Sequence, residues 1–202
     1  MKILAIDTSG KFCSISILLN DSIRESINSN TPLSHSSELA VNVKKILNKY
    51  DIDISDLDGI AINVGPGSFT GLRIGVSFAK GLSLSGNVPL IAVNAFDILR
   101  TKINPTNGVF FSCIYSHKHY AYGIKYKNGK QSNPKLLDLN NNLNSPVYIC
   151  GLNNENSYDN DIIRVGFDSN DLMDFAKKYF DLNLKIDINS VNPIYIDYVN
   201  AK

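Results

Sequence analysis

The chain has 202 residues, a formal charge of +1, 44% hydrophobic residues and 19% charged residues. This composition excludes a disordered chain, and the near-zero charge excludes strong non-specific binding of nucleic acid by this chain alone. Three distant cysteines, Cys13, Cys113 and Cys150, give neither a disulfide framework nor a zinc cluster, and the N-terminal apolar run is too short for a signal peptide. We therefore expect a cytoplasmic protein without membrane contact.

The first hundred residues predict an α/β layer structure, because strands and amphipathic helices alternate along the chain. Residues 3–6 and 12–19 predict a β-hairpin across a polar turn, and residues 23–27 predict a third strand. The elements that follow are a helix over residues 38–49, a strand over 59–64, a helix over 69–85, a strand over 89–93 and a short helix over 95–101.

The second half reads differently, and the turn-rich residues 104–108 predict a boundary between two lobes. Residues 1–103 form the expected N-terminal lobe, and residues 104–202 form a smaller C-terminal lobe that is mostly strand. Within it, Asn128-Gly129 is a strong hairpin turn, Leu172 lies in a predicted helix and residues 194–199 predict a closing strand.

The turn after the first strand, Asp7-Thr8-Ser9, places a carboxylate beside two hydroxyls. Such a turn can present hydroxyls and N–H groups to a phosphate while the aspartate holds a metal through water. It is equally the composition of an ordinary hairpin turn, so the sequence leaves both interpretations open.

The segment from Gly65 to Gly71 lies between a predicted strand and a predicted helix, where free N–H groups can hold an anion. It is not a P-loop, because Leu72-Arg73 stands where Lys-Ser or Lys-Thr would be required. It also fails as a dinucleotide fingerprint, because its third glycine comes one position late and Asn87 replaces the ribose-binding acid.

A stripe of small residues recurs every four positions along the following helix, at Gly71, Gly75, Ala79 and Ser83. Glycine inside a helix costs up to about 1 kcal/mol relative to alanine, so the stripe indicates that something approaches the helix closely. Periodicity alone does not distinguish the chain's own sheet from a helix of a second subunit.

The histidines His35, His117 and His119 offer little catalytic or metal chemistry. His117 and His119 would share one face of a strand, but two ligands without a supporting carboxylate make a weak metal site. His35 lies at a helix start, where capping is as good an explanation as nucleophilic catalysis. We therefore predict neither a catalytic residue nor a metal site.

Four segments together resemble the TsaB (YeaZ) family, over residues 1 to about 100. They are Ile-Leu-Ala-Ile-Asp-Thr-Ser at 3–9, His-Ser-Ser-Glu-Leu at 35–39, Gly-Pro-Gly-Ser-Phe-Thr-Gly-Leu-Arg-Ile-Gly at 65–75 and Ala-Lys-Gly-Leu at 79–82. In the second half, Asn192-Pro193-Ile194-Tyr195 resembles the closing strand of that family.

This resemblance implies an actin-like, ribonuclease-H-like fold in two lobes, with the second lobe short. It also implies a non-catalytic subunit for threonylcarbamoyl modification of the adenosine next to the anticodon, in tRNAs that read codons beginning with A. Such a subunit pairs with TsaD through a four-helix bundle, is joined by the ATPase TsaE, and meets tRNA only through the complex. The chain would bind no cofactor alone, the complex would use ATP and magnesium, and a homodimer is expected when TsaD is absent.

The partner interface expected from the resemblance and the glycine stripe lies on the first two helices, with Arg73 as a polar anchor. It comprises Glu38, Leu39, Val43, Gly71, Leu72, Arg73, Gly75, Val76, Ala79 and Leu82. The alternative hypothesis is an actin-fold ATP-dependent enzyme with a phosphate site at Asp7, Thr8 and Ser9. Two departures from the family limit the transfer: Tyr115-Ser116-His117-Lys118 replaces an Asp-Ala-Arg stretch, and Tyr195-Ile196-Asp197 replaces a final Tyr-Leu-Arg.

Overall fold

A computed structural model describes residues 1–21, 23–29, 35–103, 108–152, 158, 160–181 and 187–196. Its described residues form two β-sheets with helices packed against them, which confirms the predicted α/β class. The predicted boundary at residues 104–107 lies outside the described residues. None of the described helices is both long and apolar enough to cross a bilayer.

The first sheet has the strand order β3-β2-β1-β4-β5. β1, β2 and β3 form an antiparallel meander, whereas β4 and β5 run parallel to β1. Every residue of β4 is buried, because helices cover both faces of a parallel sheet. The strand bounds are Lys2–Asp7 for β1, Ser14–Leu19 for β2, Ile23–Asn28 for β3, Gly59–Gly65 for β4 and Leu90–Asn94 for β5.

Two helices cover one face of this sheet, α1 over His35–Lys49 and α2 over Phe69–Gly86. Ser68 caps the start of α2 by accepting a hydrogen bond from the backbone N–H of Gly71. Asn87 ends the helix in a left-handed conformation with φ of 53°. Because α1 and α2 lie side by side on the sheet, each buries one face against it and exposes the other.

The opposite face of the first sheet is covered by α3 over Ala95–Lys102 and by α4 over Ser169–Asp181. α4 is fastened to β2 by hydroxyl groups, with Ser169 Oγ lying 2.7 Å from Ser14 Oγ and 2.6 Å from Ser16 Oγ. All three hydroxyl-bearing side chains are buried, so the bonds offset the cost of removing them from water.

The second sheet has the order β11-β10-β6-β7-β8, with β9 also paired to β7. The predicted turn at Asn128-Gly129 is confirmed, because both residues have positive φ and join β7 to β8. The bounds are Val109–His117 for β6, Tyr120–Lys127 for β7, Lys130–Gln131 for β8, Lys135–Asp138 for β9, Val147–Cys150 for β10 and Ile162–Arg164 for β11.

The end of the chain returns to the first sheet, which corrects the assignment of residues 104–202 to one lobe. Besides α4, Val191 is buried in the core between the first sheet and α1 and α2. The backbone N–H of Ile194 donates to the carbonyl of Val64 at 2.7 Å. Residues 194–196 are nevertheless not a strand, contrary to the prediction, and residues 197–199 lie outside the described part.

Candidate functional site

The glycine stripe of α2 faces the chain's own first strand. A Cβ on Gly71 or Gly75 would lie closer than 3.0 Å to the carbonyl oxygen or the Oγ1 of Thr8. The Thr8 hydroxyl donates to the Gly71 carbonyl at 2.7 Å, and both Thr8 and Ala79 are fully buried. The stripe therefore lets α2 sit on the turn after β1, and the assignment of Gly71, Gly75 and Ala79 to a partner interface is wrong.

Most other residues of the expected interface are also used within the fold. Four apolar members are at most 3% exposed, because they point from α1 or α2 into the core beneath: Leu39, Val43, Leu72 and Val76. This corrects the assignment of Leu39, Leu72 and Val76 as contact residues, whereas Val43 also lines a groove between α1 and α2. Arg73 is exposed, while Glu38 and Leu82 are half-buried, so these three remain available at the surface of the helices.

A groove of about 300 Å³ lies between α1, α2 and residues 52–54, and its lining is mostly apolar but includes Lys44, Asn48 and Asp53. Leu82 lines it with Phe78 from α2, and Ala40, Val43 and Leu47 line it from α1. Val41 and Leu84, on the outer side of each helix, are 64% and 69% exposed. A Cβ on Gly81 would meet no atom within 4 Å. We call Ala40, Val41, Phe78, Gly81, Leu82 and Leu84 the outer helix face.

Of this face, sequence reasoning identified Leu82 and missed the other members, because it followed the small residues of α2 rather than the apolar residues beside them. Phe78 and Leu82 are four positions apart on α2, and Ala40 lies on the flank of α1 that meets them. The exposed Leu84 was the available signal, since a large apolar residue lay outside the predicted buried stripe.

Arg73 is held in an aromatic cluster at the start of α2. Its guanidinium lies 3.7 Å from the ring centre of Phe69, and its Nε donates to the hydroxyl of Tyr195 at 3.0 Å. Phe69 and Tyr195 are 54% and 46% exposed, and their ring centroids lie 5.1 Å apart. The predicted polar anchor is thus preorganised by stacking, which positions a planar cation at the surface.

A cleft of about 830 Å³ lies between the first sheet and the second. Asp7 and Ser9 line it from the end of β1, Ser68 lines it from the start of α2, and Tyr115 and Tyr122 line it from the second sheet. Thr8 is absent from its wall because its hydroxyl points toward α2, which corrects the assignment of Thr8 to a phosphate site.

The Asp7 carboxylate is buried at the floor of the cleft. It accepts hydrogen bonds from the backbone N–H of Ser9 at 2.9 Å and from Nδ2 of Asn63 at 3.2 Å. Burial raises the pKa of this carboxyl above its ordinary value, and the nearby negative charge of Asp168 acts in the same direction. Hydrogen bonds from Ser9 and Asn63 lower the pKa but do not offset burial.

Asn63 organises this turn and was not identified from the sequence. Its Nδ2 also donates to Ser9 Oγ at 2.9 Å, and its Oδ1 accepts from the backbone N–H of Gly65. A Cβ on Gly67 would lie 2.5 Å from the Ser9 carbonyl, so this glycine permits the loop to close over the turn. A lone amide within the apolar strand β4 was the signal for this role.

The charge of the cleft wall does not suit a bare phosphate. Asp7 and Asp168 both line it, and Lys11 is its one lysine or arginine among the described residues. The described part of the chain holds no group of three or more potential metal ligands.

The histidines serve local structure in the described fold. His119 lies 3.8 Å from Asp138 and packs on Tyr120, while a bulge near His117 interrupts the predicted shared face of the pair. His35 is buried, with Nε2 3.2 Å from the Gly10 carbonyl, so it joins the start of α1 to the β1–β2 turn.

Comparison with known proteins gives a consistent result. The family model of TsaD, tRNA N6-adenosine threonylcarbamoyltransferase, matches residues 29–136, slightly more than half of the chain. The tRNA threonylcarbamoyladenosine biosynthesis protein TsaB of Bacillus subtilis is 34% identical over 131 residues, which cover 64% of this chain and 57% of that protein. TsaB of Buchnera aphidicola from Schizaphis graminum is 37% identical over 100 residues, which cover 50% of this chain and 47% of the relative. The matches therefore span about half the length of these curated relatives.

A solved structure, YeaZ from Pseudomonas aeruginosa, shares the fold along nearly the whole chain. Its TM-score is 0.74 at 21% sequence identity, and the match covers 96% of this chain and 99% of that one. The match covers both sheets and shows that this chain has the fold of that structure.

Proposed function

We propose a scaffold function for this chain, which belongs to the TsaB (YeaZ) family of tRNA threonylcarbamoyladenosine biosynthesis proteins. In this proposal the chain pairs with TsaD and holds it in an active arrangement, without carrying out chemistry itself. TsaD transfers the threonylcarbamoyl group to the adenosine next to the anticodon. TsaE joins the pair, ATP and magnesium are used by the complex, and tRNA meets the chain within it.

The observation that carries this proposal is the outer helix face. Val41 and Leu84 expose most of their apolar surface on adjacent helices, and the groove between those helices is floored by apolar side chains. Exposed large apolar residues on adjacent helices are typical of an interaction surface. Two adjacent helices of this kind can pack against two helices of a partner. Gly81 leaves room for a partner helix to approach α2 closely.

The cleft supports a non-catalytic role for this chain. Its aspartate is buried and hydrogen-bonded within the turn, the Thr8 hydroxyl is committed to α2, and Ser9 Oγ accepts a hydrogen bond from Asn63. A phosphate site at this turn would need hydroxyls and N–H groups that are free to contact the ligand. The arrangement thus favours a scaffold over the ATP-dependent enzyme that is the alternative hypothesis.

The test is size-exclusion chromatography with light scattering on the chain, on its cognate TsaD and on the mixture. We expect a 1:1 species in the mixture, and a homodimer through the same face when the chain is alone. Failure to form a complex with or without ATP and magnesium would contradict the proposal. Tight magnesium-dependent ATP binding with hydrolysis by the chain alone would instead support the enzyme.

A further inference from the structure

Four lysines gather on the outer face of the second sheet, away from both the outer helix face and the cleft. Lys125 and Lys127 alternate with buried residues along β7 and are exposed, as are Lys130 of β8 and Lys135 of β9. We call these four residues the lysine patch.

The strand register fixes all four side chains on one face. Lys127 is directly opposite Lys130, and Lys135 is opposite Gly123, which shares a face with Lys125 and Lys127. Opposed residues have Cβ atoms about 5 Å apart, and diagonal neighbours are about 7 to 8 Å apart. Lys125 is therefore a diagonal neighbour of both Lys130 and Lys135, and it links Lys135 to the Lys127–Lys130 pair.

This arrangement is electrostatically costly unless an anion neutralises it. Like charges directly opposite each other destabilise a sheet, and the tight turn at Asn128-Gly129 holds Lys127 against Lys130. None of the four lysines forms an ion pair with any residue that the structure describes. Lys125 instead lies 5.5 Å from the ring centre of Phe111.

The charge is concentrated here rather than spread over the molecule. Residues 108–152 contain five lysines and one aspartate, a formal charge of +4, whereas the whole chain carries +1. The single acid of that segment, Asp138, is at the far end of β9 from Lys135 and lies beside His119. The second sheet is thus basic and the rest of the chain acidic.

We infer that the lysine patch binds the phosphate backbone of RNA, as an accessory contact to the tRNA handled by the complex. This inference rests on the proposed function for the identity of the RNA. Exposed lysines on neighbouring strands match a repeating polyanion, and the neutral Asn128, Gln131 and Asn133 beside them offer further donors.

The surroundings of the patch favour RNA over the other anionic partners. A membrane surface would be engaged by exposed apolar side chains as well, and no exposed large apolar residue of the described chain lies in the patch. A protein interface would be centred on aromatic residues and arginine, whereas lysine is depleted from such centres. Backbone contact through four lysines also explains how a chain of charge +1 contributes to RNA binding without holding it tightly alone.

The test compares Lys127→Gln/Lys130→Gln with Lys177→Gln/Lys178→Gln, a control that removes the same charge from α4. A fluorescent tRNA that reads a codon beginning with A is titrated with each protein, alone and as its TsaD complex, at several salt concentrations. The wild-type chain has up to four phosphate contacts, so its affinity should fall with a logarithmic salt slope of about 3. The patch variant should lose about half of that slope and roughly tenfold in affinity at low salt, while the control behaves like wild type.

Equal slopes for the wild type and the patch variant, or equal losses in both variants, would overturn the RNA contact. Binding of vesicles rich in phosphatidylserine with no patch-dependent RNA binding would overturn it in favour of a membrane. The proposed function has a separate test, since it fails if the wild-type chain and TsaD do not form a complex. The titration of tRNA with the chain alone still tests the lysine patch in that case. The melting temperature should not fall in the patch variant, since the change relieves repulsion between Lys127 and Lys130.

Discussion

Thr8 and Gly75 meet across the contact between β1 and α2, where the Thr8 hydroxyl occupies the space that a Gly75 side chain would need. The same hydroxyl donates to the Gly71 carbonyl one turn earlier, so a buried polar group and two glycines form one contact. This relationship assigns the small residues of α2 to folding. In the proposed function, a partner would therefore contact the exposed side of α2.

Gly75→Ala should destabilise the chain by about 1 to 3 kcal/mol, because the new Cβ overpacks the contact with Thr8. Gly81→Ala is the matched control, since its Cβ meets nothing and alanine favours the helix by up to about 1 kcal/mol. Urea denaturation measures both free energies of unfolding. Equal effects of the two substitutions would contradict the packing described here.

Thr8→Val should lower the free energy of unfolding by about 1 to 2 kcal/mol, because it keeps the shape but removes the donor to the Gly71 carbonyl. Thr70→Val is the control, because Thr70 is exposed on α2, the helix that Thr8 contacts. This substitution should change stability by less than about 0.5 kcal/mol. Urea unfolding measures both variants, and the midpoint concentrations are compared if the dependence of the unfolding free energy on urea concentration is unchanged. A neutral Thr8→Val would show that the hydroxyl is not a structural group.

Asp7→Asn should stabilise the chain at neutral pH and flatten its stability profile in mildly acidic solution. The pKa of Asp7 is raised in the folded chain, so the native state binds the proton more tightly than the unfolded state. The Asp7 carboxyl therefore stabilises the folded chain at low pH. This stabilisation is lost as the pH rises from the pKa of Asp7 in the unfolded chain through its higher pKa in the folded chain. Melting temperatures of the wild type and the variant between about pH 4 and pH 7 test the direction of this change, because a carboxyl with a raised pKa titrates within about that range.

Asp51→Asn is the control for that profile, since Asp51 is exposed and lies in a left-handed turn that asparagine accepts well. The shape of its profile should match wild type. If Asp7→Asn keeps the wild-type shape as well, burial of the carboxylate does not govern the acid dependence of stability.

Titration with ATP and magnesium should show no tight binding by the chain alone. Lys11 is the cleft's one lysine or arginine among the described residues, so the wall offers little positive charge to hold the phosphates. Isothermal calorimetry measures this with and without magnesium. Magnesium-dependent binding that disappears in Asp7→Asn would restore the phosphate site at the first turn.

Much of the fold follows from local patterns. Residues 120–126 predict a strand, which the structure confirms within one residue, and Asn128-Gly129 fixes its turn because both residues accept positive φ. The spacing of Leu39, Val43 and Ile46 likewise predicts the buried face of α1, which the structure confirms. These features depend on near neighbours in the chain, so sequence alone carries them.

Long-range contacts account for what was missed. Periodicity shows that Gly71 and Gly75 share a face, but it does not show that Thr8 is what approaches that face. Val191 and Ile194 return to the first sheet after the second sheet is complete, and no local signal marks that return. The contact of Asn63 with Asp7 and Ser9 joins residues more than fifty positions apart, so it emerges only from the fold.

The most direct test of the scaffold account is the dissociation constant for cognate TsaD, measured by calorimetry for wild type, Leu84→Glu and Ile163→Glu. Both substitutions place a carboxylate at an exposed apolar residue, the first on the outer helix face and the second on the second sheet. We predict that Leu84→Glu weakens pairing at least tenfold, or about 1.4 kcal/mol, while Ile163→Glu binds like wild type. Wild-type affinity in Leu84→Glu, or no binding of TsaD by the wild-type chain, would contradict the account.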